Sequence, residues 1–371
     1  MSKKAIRVLQ VIGKMDRAGA ETLIMNIYRN IDRSKVQFDF VVHTNDVGDY
    51  DSEIKKLGGN IYHAPQYKIY NRLEYSKFWK DFFKVHKEYK VIHGHIRSCA
   101  PIYLKIAKKN NVFTIAHSHN SYNKQFINVF YKILTYNIRN IADYFFGCST
   151  QSVIDGFGKK IYKSKNYEII KNGIVPSNYK FDKNKSINYK KELGVENKFV
   201  VGHVGRFDTQ KNHLFLIDVF EQIKKKHKDS VLILVGRGPL EDKIKNYVKS
   251  KGLEQDVKFL GVRDDVNNLL MAFDVFVFPS LFEGLPVVMV EAQATGLKCF
   301  ISDVITDEAV LSDYVVKLSL NDSLETWSDT IIKFGLKYKK KNCEELLKNK
   351  GFDIRETARK IENEYIKFSE R

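Results

Sequence analysis

The chain lacks the features that would place it in an oxidising compartment or within a membrane. It has four cysteines in 371 residues, without CxxC spacing, so neither a disulfide framework nor a zinc site of that type is expected. No apolar run approaches the roughly 20 residues that a membrane-spanning helix needs. The charged N-terminal start runs directly into a strand-like segment, which is unlike a signal peptide. We therefore expect a cytoplasmic protein.

Several nucleotide-binding and nucleic-acid-binding signatures are also missing. The chain has no GxxxxGK[ST] P-loop. The segment 13–21 lacks the GxGxxG pattern, and no acidic residue follows it at the usual distance after a second strand, so a dinucleotide site is not expected. No helix-turn-helix, zinc-finger or RNP-type signature is present. The formal net charge of +18 still indicates an anionic partner, either nucleic acid, a membrane surface or a phosphorylated substrate. Lys-rich solvated helix faces explain much of that charge without any partner.

Apolar runs alternate with amphipathic stretches along the whole chain, which predicts an α/β fold with parallel sheets. A polar, turn-rich connection at 172–186 divides the pattern into two domains, 1–173 and 174–352. A last helix, predicted within 353–371, could pack on either domain. The predicted strands are Ala5–Ile12, Phe38–His43, Asn60–His63, Val91–His95, Val112–His117, Tyr144–Cys148 and Tyr167–Ile170, then Phe199–Val204, Val231–Val235, Val257–Leu260, Val275–Phe278, Lys298–Ile301 and Tyr314–Leu318.

The segment 283–291, EGLPVVMVE, carries the most specific chemistry. It follows a predicted buried strand, and Pro286 suits the first turn of a helix. Glu283 then precedes the helix N-terminus, whose free N–H groups attract phosphate, and Glu291 lies inside the helix. A phosphate site between two hydrogen-bond acceptors fits a nucleotide sugar. An ordinary strand-to-helix turn with two solvated glutamates is the alternative.

Three further strand ends in the second half carry compatible groups, and ligands of open α/β sheets bind at such ends. Arg206 and Lys211 follow one strand and could hold a pyrophosphate by a planar fork and a point charge. They could equally be surface cations of a basic protein. The glycines of the segment 236–239 permit close backbone approach. A third strand ends at 260–263, where Val262 and Arg263 could present backbone groups to a base.

Two His-x-His pairs end strands in the first half, at 93–95 and 117–119. Alternate strand residues share a face, so a metal site is one hypothesis. No carboxylate-rich segment adjoins either pair, and we therefore favour a hydrogen-bonding role for His117.

At these residues the chain resembles the retaining glycosyltransferases of family 4. The most specific motifs are EGxPxxxxE at 283–291 and GRxxxxKN at 205–212, and the resemblance covers nearly the whole chain. It implies a GT-B fold, in which two Rossmann-like domains face each other across a cleft and the second domain holds the donor. It also implies transfer without metal or cofactor and with retention of the anomeric configuration.

Residue roles follow from the resemblance. Glu291 would bind the donor ribose and Glu283 the donor sugar, while Arg206, Lys211 and His117 would complete the catalytic set. The other expected donor contacts are Gly19, Gly236, Gly238, Val262, Arg263, Gly284, Leu285 and Val287. One departure is visible, since the N-terminal loop reads Ala18-Gly19 where the family has Gly-Gly. Many members use UDP-sugars, and many glycosylate lipid-linked acceptors in cell-surface polysaccharide assembly, including capsule.

Two basic, aromatic segments, 67–90 and 122–139, predict either core helices or a peripheral anchor on an anionic membrane. Two other functions stay open at this point. A sugar-nucleotide epimerase also uses two facing α/β domains, and a nucleic-acid-binding protein would explain the charge.

Overall fold

Two parallel sheets, of seven and six strands, form the framework of the protein. The structure is a computed structural model, and it describes residues 5–119 and 135–371. The chain divides into two units, each built on one sheet. Unit 1 comprises residues 1–173 together with 353–371, and unit 2 comprises residues 174–352.

Unit 1 carries the seven-stranded sheet. Its strands are β1 (Ile6–Ile12), β2 (Val36–Val42), β3 (Ile61–His63), β4 (Val91–Gly94), β5 (Phe113–Ser118), β6 (Tyr144–Gly147) and β7 (Tyr167–Ile169). Its described helices are α1 (Gly19–Asn30), α2 (Asp51–Lys56), α3 (Arg72–Val85), α4 (Ala100–Lys109), α5 (Ile138–Ile141), α6 (Thr150–Phe157) and α7 (Lys159–Tyr162), with the C-terminal α15 (Ile354–Ser369).

Unit 2 carries the six-stranded sheet. Its strands are β8 (Phe199–Val204), β9 (Ser230–Val235), β10 (Val257–Phe259), β11 (Val275–Phe278), β12 (Lys298–Ser302) and β13 (Val315–Leu318). Its helices are α8 (Lys183–Glu192), α9 (His213–Lys226), α10 (Glu241–Ser250), α11 (Val266–Ala272), α12 (Val287–Ala294), α13 (Leu324–Gly335) and α14 (Glu344–Asn349).

Both sheets have the strand order of a Rossmann-like fold. The order is β3-β2-β1-β4-β5-β6-β7 in unit 1 and β10-β9-β8-β11-β12-β13 in unit 2, and every strand pair is parallel. The direction of winding therefore reverses between β1 and β4 and again between β8 and β11. Ligands of such sheets bind at the carboxyl ends of the strands at this reversal. The α/β, doubly parallel architecture predicted from the sequence is confirmed.

The central strands are apolar because helices cover both faces of each sheet. All seven residues of β2, all six of β9 and all four of β11 are buried. Separate apolar clusters lie on the two faces of the second sheet, one around Phe276 and one around Val277. This layering explains why continuous apolar runs located the strands correctly.

Helix α15 belongs to unit 1 although it follows unit 2 in the chain. Its buried face includes Ile361, Tyr365 and Phe368. The Phe368 ring stacks on Phe113 of β5 with centroids 4.4 Å apart. The end of the chain thus completes the core of unit 1.

The aromatic residues of the first basic segment are mostly core residues. Trp79, Phe82 and Phe83 of α3 are buried, and Phe78 packs against the same cluster. They are therefore unavailable as membrane anchors in the folded protein. Most of the second segment, 122–139, lies outside the described residues. Of the helices within residues 5–119 and 135–371, none combines the length and apolarity that a bilayer crossing requires.

Candidate functional site

Two loops of unit 2 meet at the winding reversal of its sheet. One follows β8 and contains Arg206 and Lys211, and the other follows β11 and contains Glu283. They are neighbours because β8 and β11 pair side by side. Strand order therefore brings together residues that are 72 positions apart in the chain.

Lys211 and Glu283 form an ion pair at this point. The Lys211 Nζ lies 2.5 Å from Glu283 Oε1, and the side chains are only 15% and 6% exposed. The ammonium also lies 4.7 Å from the centroid of the Phe278 ring, which is a cation–π distance. A largely desolvated pair of this kind holds both groups in fixed directions.

Short-range hydrogen bonds hold the β8 loop in shape. The Asp208 carboxylate accepts a hydrogen bond from the Lys211 N–H at 3.3 Å, and Asn212 adopts a left-handed conformation (φ 56°) where α9 begins. The two loops are also joined directly, because Gln210 O accepts from the Leu281 N–H at 2.8 Å and the Gln210 side chain donates to the carbonyl of Phe282 at 2.9 Å. Lys211 and Glu283 thus sit on a preorganised support.

The N-terminus of α12 is separated from Glu283 by a short turn, residues 284–286. Pro286 precedes the first helical residue, Val287, so the first turn has amides with no intrahelical acceptor. No acceptor within residues 5–119 and 135–371 is recorded for the N–H of Gly284, Leu285 or Val287. The Leu285 side chain is buried in the core, which anchors the turn. The result is a rigid group of donors suited to an anion.

Glu291 lies in the second turn of α12, and its carboxylate has a partner that sequence reasoning missed. The hydroxyl of Tyr179 donates to Glu291 Oε1 at 2.6 Å. Burial raises the pKa of Glu291, while this hydrogen bond opposes the increase. Nothing in the sequence around Tyr179 signals this contact, because it depends on the packing of the 3₁₀ turn at 176–179.

The glycines at 236 and 238 have a structural explanation of their own. A Cβ at Gly236 would lie 2.1 Å from the carbonyl oxygen of Gly205, and one at Gly238 would lie 2.4 Å from that of Phe207. Gly236 also has a φ of 132°, which other residues rarely adopt. Both glycines therefore let the β9 loop pack against the backbone of the β8 loop that carries Arg206 and Lys211.

The remaining predicted positions of unit 2 are more exposed. Arg206 is exposed, and no ion pair with it is recorded within the described part of the chain. Val262 is 46% exposed. Arg263 is held by a bidentate pair with Asp265, at 2.6 and 2.8 Å. The guanidinium of Arg263 is thus already engaged, whereas that of Arg206 is available to an incoming anion.

Unit 1 places His117 in a group of four imidazoles. The His117 ring lies 3.9 Å from that of His119, 5.2 Å from that of His93 and 5.4 Å from that of His95, measured between centroids. Burial lowers the pKa of all four rings, to about 3 for His119. Neither nitrogen of His117 has a hydrogen-bond partner among the described residues.

Gly19, the other predicted contact in unit 1, is the first residue of α1. No atom lies within 4 Å of a Cβ built at that position, so the packing itself does not demand a glycine there. The packing of the described residues therefore does not explain why position 19 is a glycine.

Comparison with known proteins gives this arrangement a family. The sequence profile of the family "Glycosyl transferases group 1" matches residues 185–349, which lie within unit 2. The Bacillus subtilis protein named as the glycosyltransferase EpsF is 33% identical over 383 aligned positions, covering 98% of this chain and 97% of that one. The chain belongs to the group 1 glycosyltransferases. This membership favours the transferase hypothesis over the epimerase and nucleic-acid-binding hypotheses.

Two further comparisons bear on this glycosyltransferase. An Escherichia coli enzyme named UDP-Gal:alpha-D-GlcNAc-diphosphoundecaprenol alpha-1,3-galactosyltransferase is 34% identical over 208 positions, about half of each chain. The crystal structure of Anabaena Alr3699/HepE in complex with UDP superposes with a TM-score of 0.74 at 19% identity, covering 98% and 97% of the two chains. The fold is therefore GT-B, as the resemblance implied.

Proposed function

We propose that this glycosyltransferase moves a sugar from a UDP-sugar to a saccharide or lipid-linked saccharide, with retention and without metal, during assembly of a cell-surface polysaccharide such as capsule. The observation that carries the proposal is the Lys211–Glu283 pair beside the free amides of α12, at the winding reversal of the second sheet. One cation, one carboxylate and a helix N-terminus are the complement of a sugar diphosphate.

The proposed donor site uses the predicted residues of unit 2. Lys211 and Arg206 stabilise the diphosphate, and the amides of Gly284, Leu285 and Val287 hold a phosphate. Glu283 accepts hydrogen bonds from sugar hydroxyls, and Glu291 accepts them from the ribose. The Tyr179 hydroxyl supports the last role, because it fixes one carboxylate oxygen of Glu291 at 2.6 Å. Val262 and Arg263, beside Gly236 and Gly238, would line the base, and Gly19 of unit 1 stays a proposed donor contact.

The proposed reaction breaks the bond between the anomeric carbon and the diphosphate and forms a bond from that carbon to an acceptor oxygen. Negative charge develops on the leaving phosphate, so preorganised cations and amides supply the largest stabilisation. The acceptor hydroxyl gives its proton to the leaving phosphate on the same face. The ion pair with Lys211 supports this route, because it leaves Glu283 a poor nucleophile. His117 is proposed to hydrogen-bond the reacting sugar.

A binding panel tests the donor assignment. UDP-glucose, UDP-galactose, GDP-mannose and ADP-glucose are compared by thermal shift in the presence of EDTA. A UDP-sugar at 100 times its dissociation constant should stabilise the protein by about 2.7 kcal/mol. A flat response to every donor, or stabilisation that requires a divalent ion, would contradict the proposal.

A transfer assay tests the reaction itself. The UDP-sugar identified by the panel is incubated with and without an acetylated amino sugar linked to a polyprenyl diphosphate, the acceptor chemistry in the name of the E. coli relative. We expect a new glycoside with the donor's anomeric configuration by NMR coupling constants, and no conversion of the donor alone to an epimer. An inverted product would overturn the retaining mechanism.

We also propose that the enzyme works on the cytoplasmic face of a membrane. All four cysteines are free, which supports a reducing compartment. A surface patch formed by Ile69, Tyr70 and Leu73, exposed by 60%, 82% and 86%, supports membrane contact, and the exposed Lys68 and Arg72 are their neighbours in the chain. These residues replace the buried α3 aromatics as the proposed anchors.

Flotation with anionic liposomes tests the patch. Each cation near an anionic surface contributes about 1 kcal/mol, so Lys68→Glu with Arg72→Glu should abolish most of the binding. Lys243→Glu with Lys249→Glu, on α10 of unit 2, makes the same change of charge and should leave flotation intact. Absence of flotation of the unaltered protein at low salt would rule out the proposed contact.

A further inference from the structure

The four-histidine cluster of unit 1 is formed by His93, His95, His117 and His119. Several of its ring nitrogens have no hydrogen-bond partner among the described residues. One ligand nitrogen each from His93, His95 and His117 lies within 4.8 Å of the others. His117 is 1% exposed and His93 is 2% exposed. His93 Nε2, both nitrogens of His117 and His119 Nδ1 have no partner within residues 5–119 and 135–371. Buried polar atoms in this state are costly unless a ligand satisfies them.

The sheet register produces this cluster. His93 and His95 follow one another at the end of β4, and His117 and His119 do so at the end of β5, next to it in the sheet. Side chains two residues apart share one face of a strand. The two His-x-His pairs therefore project from adjacent strands into one space.

Hydrogen bonds with Gln10 and Tyr365 orient the rings of His95 and His93. His95 Nε2 lies 2.9 Å from the side-chain oxygen of Gln10, which can only accept, so Nε2 carries the proton and Nδ1 carries the lone pair. Gln10 in turn donates to the Tyr365 hydroxyl at 3.3 Å, and that oxygen lies 2.6 Å from His93 Nδ1. His93 can bind an ion through Nε2 only with its own proton on Nδ1, where it would be donated to the Tyr365 oxygen. Metal-binding histidines usually donate their other ring N–H to such a partner.

The position of His119 marks where an ion would lie. Its Nε2 is 2.8 Å from His95 Nδ1, so it occupies the direction of that lone pair. A tetrahedral ion with metal–nitrogen bonds of about 2.0–2.1 Å needs nitrogens about 3.4 Å apart. The ligand nitrogens now lie within 4.8 Å of one another, and ring movements of about 1 Å would bring them to this separation. His119 would then be a fourth ligand or be displaced by water.

We propose that His93, His95 and His117 bind one divalent transition-metal ion of the class preferred by imidazole, with Zn²⁺ and Co²⁺ as its representatives. Imidazole nitrogen suits zinc, copper, nickel and cobalt, whereas magnesium and calcium need oxygen ligands that this cluster lacks. Three neutral imidazoles leave the ion its full charge. An open fourth position would therefore attract hydroxide or an anionic ligand.

The test is direct metal binding to the full-length protein after removal of any polyhistidine tag. Protein treated with a chelator is titrated with Co²⁺, and zinc content is measured after equilibrium dialysis. We expect one ion per chain and visible Co²⁺ absorption bands of four-coordinate nitrogen ligation. No stoichiometric ion in the unaltered protein, or the octahedral spectrum of aqueous Co²⁺, would overturn the inference without reference to any variant.

Variants then locate the site. His117→Gln should abolish binding, and His63→Gln, an exposed histidine of the same unit, should leave it unchanged. Tyr365→Phe removes only the hydroxyl behind His93 and should weaken affinity by about 10–100-fold. Tyr28→Phe is its matched control, because that buried hydroxyl bonds Leu57 and Gln37 instead. Equal affinity in the His117→Gln protein would place the ion elsewhere and contradict the assignment.

A consequence for transfer rests on the proposed function, since the ion and the donor sugar would compete for His117. Zn²⁺ should then inhibit transfer, and EDTA should restore it fully. Metal binding without inhibition would preserve the metal site and contradict the proposed role of His117. Inhibition that persists in the His117→Gln protein at its residual rate would show that zinc acts at another site.

Discussion

The two units share a sheet topology but present opposite chemistry at the same structural position. At the reversal of unit 2, a largely desolvated lysine and glutamate pair beside free helix amides. Unit 1 carries four neutral imidazoles at the ends of the strands next to its reversal. The fold therefore fixes where a site lies, and the loop residues decide what it can bind. Charged groups suit a diphosphate, while imidazoles suit hydroxyl groups or a metal ion.

The largest expected difference between the units is their response to acid. Burial lowers the pKa of five described histidines in unit 1, at positions 43, 93, 95, 117 and 119, and of two in unit 2, at 203 and 213. Unfolding returns the rings to a pKa of about 6.5. Below that pH the unfolded chain therefore binds protons that the folded chain does not bind. The free energy of unfolding must then decrease as the pH is lowered. Because unit 1 has three more of these histidines than unit 2, its decrease should be steeper by at most about 4 kcal/mol per pH unit.

Urea unfolding between pH 7.5 and 5.5, with EDTA present, measures this difference. The two tryptophans, Trp79 and Trp327, are buried in different units. Trp327→Phe leaves a reporter in unit 1, and Trp79→Phe leaves one in unit 2. Equal pH slopes for the two reporters would contradict the prediction.

The next effect is on catalysis. Lys211→Ala removes the largely desolvated cation proposed to meet the leaving diphosphate, and kcat should fall by about 10²–10³-fold. The thermal midpoint of the variant shows whether the loss is catalytic or structural. Lys245→Ala, which breaks a surface pair with Glu241 on α10, is the control and should keep full activity. An unchanged kcat in the Lys211 variant would contradict the proposed role of Lys211 at the leaving diphosphate.

A stability pair compares the loops that follow β1 and β9. Gly236→Ala places a Cβ 2.1 Å from the Gly205 carbonyl oxygen at a φ of 132°, and should lower the free energy of unfolding by about 2–4 kcal/mol. Gly13→Ala meets no atom within 4 Å, and should change stability by less than about 0.5 kcal/mol. The unfolding reporters described above measure both. A tolerant Gly236 would show that the β8 loop is free to move.

The smallest effect separates stability from binding at one carboxylate. Burial raises the pKa of Glu291, so its ionised form destabilises the fold as pH rises above the unfolded value of about 4.3. Glu291→Gln should therefore stabilise unit 2 at pH 8, and the gain should shrink towards pH 5. UDP affinity, measured by calorimetry, should fall by about 10–100-fold with the loss of charged hydrogen bonds. The exposed Glu196→Gln is the control, and tight UDP binding by the Glu291 variant would reject the ribose assignment.

Sequence reasoning succeeded for features that leave a pattern along the chain, such as the continuous apolar runs of buried strands. Strands such as Phe199–Val204 were located because helices cover both faces of a parallel sheet, which makes its strands continuously apolar. The positions of Lys211 and Glu283 at strand ends followed from the same pattern. The aromatics of α3 were ambiguous, because a core helix and an interfacial helix have the same periodicity, and packing made them core.

The sequence by itself determined the elements, the α/β class, the family and the residue types available at each strand end, because these depend on local periodicity and local motifs. Only the tertiary structure decided which of those residues meet. Strand order joined Lys211 to Glu283 across 72 positions, packing supplied Tyr179 to Glu291, and adjacent strands gathered four histidines in front of Gln10 and Tyr365. Such contacts depend on the order in which strands pair, and no local spacing encodes that order.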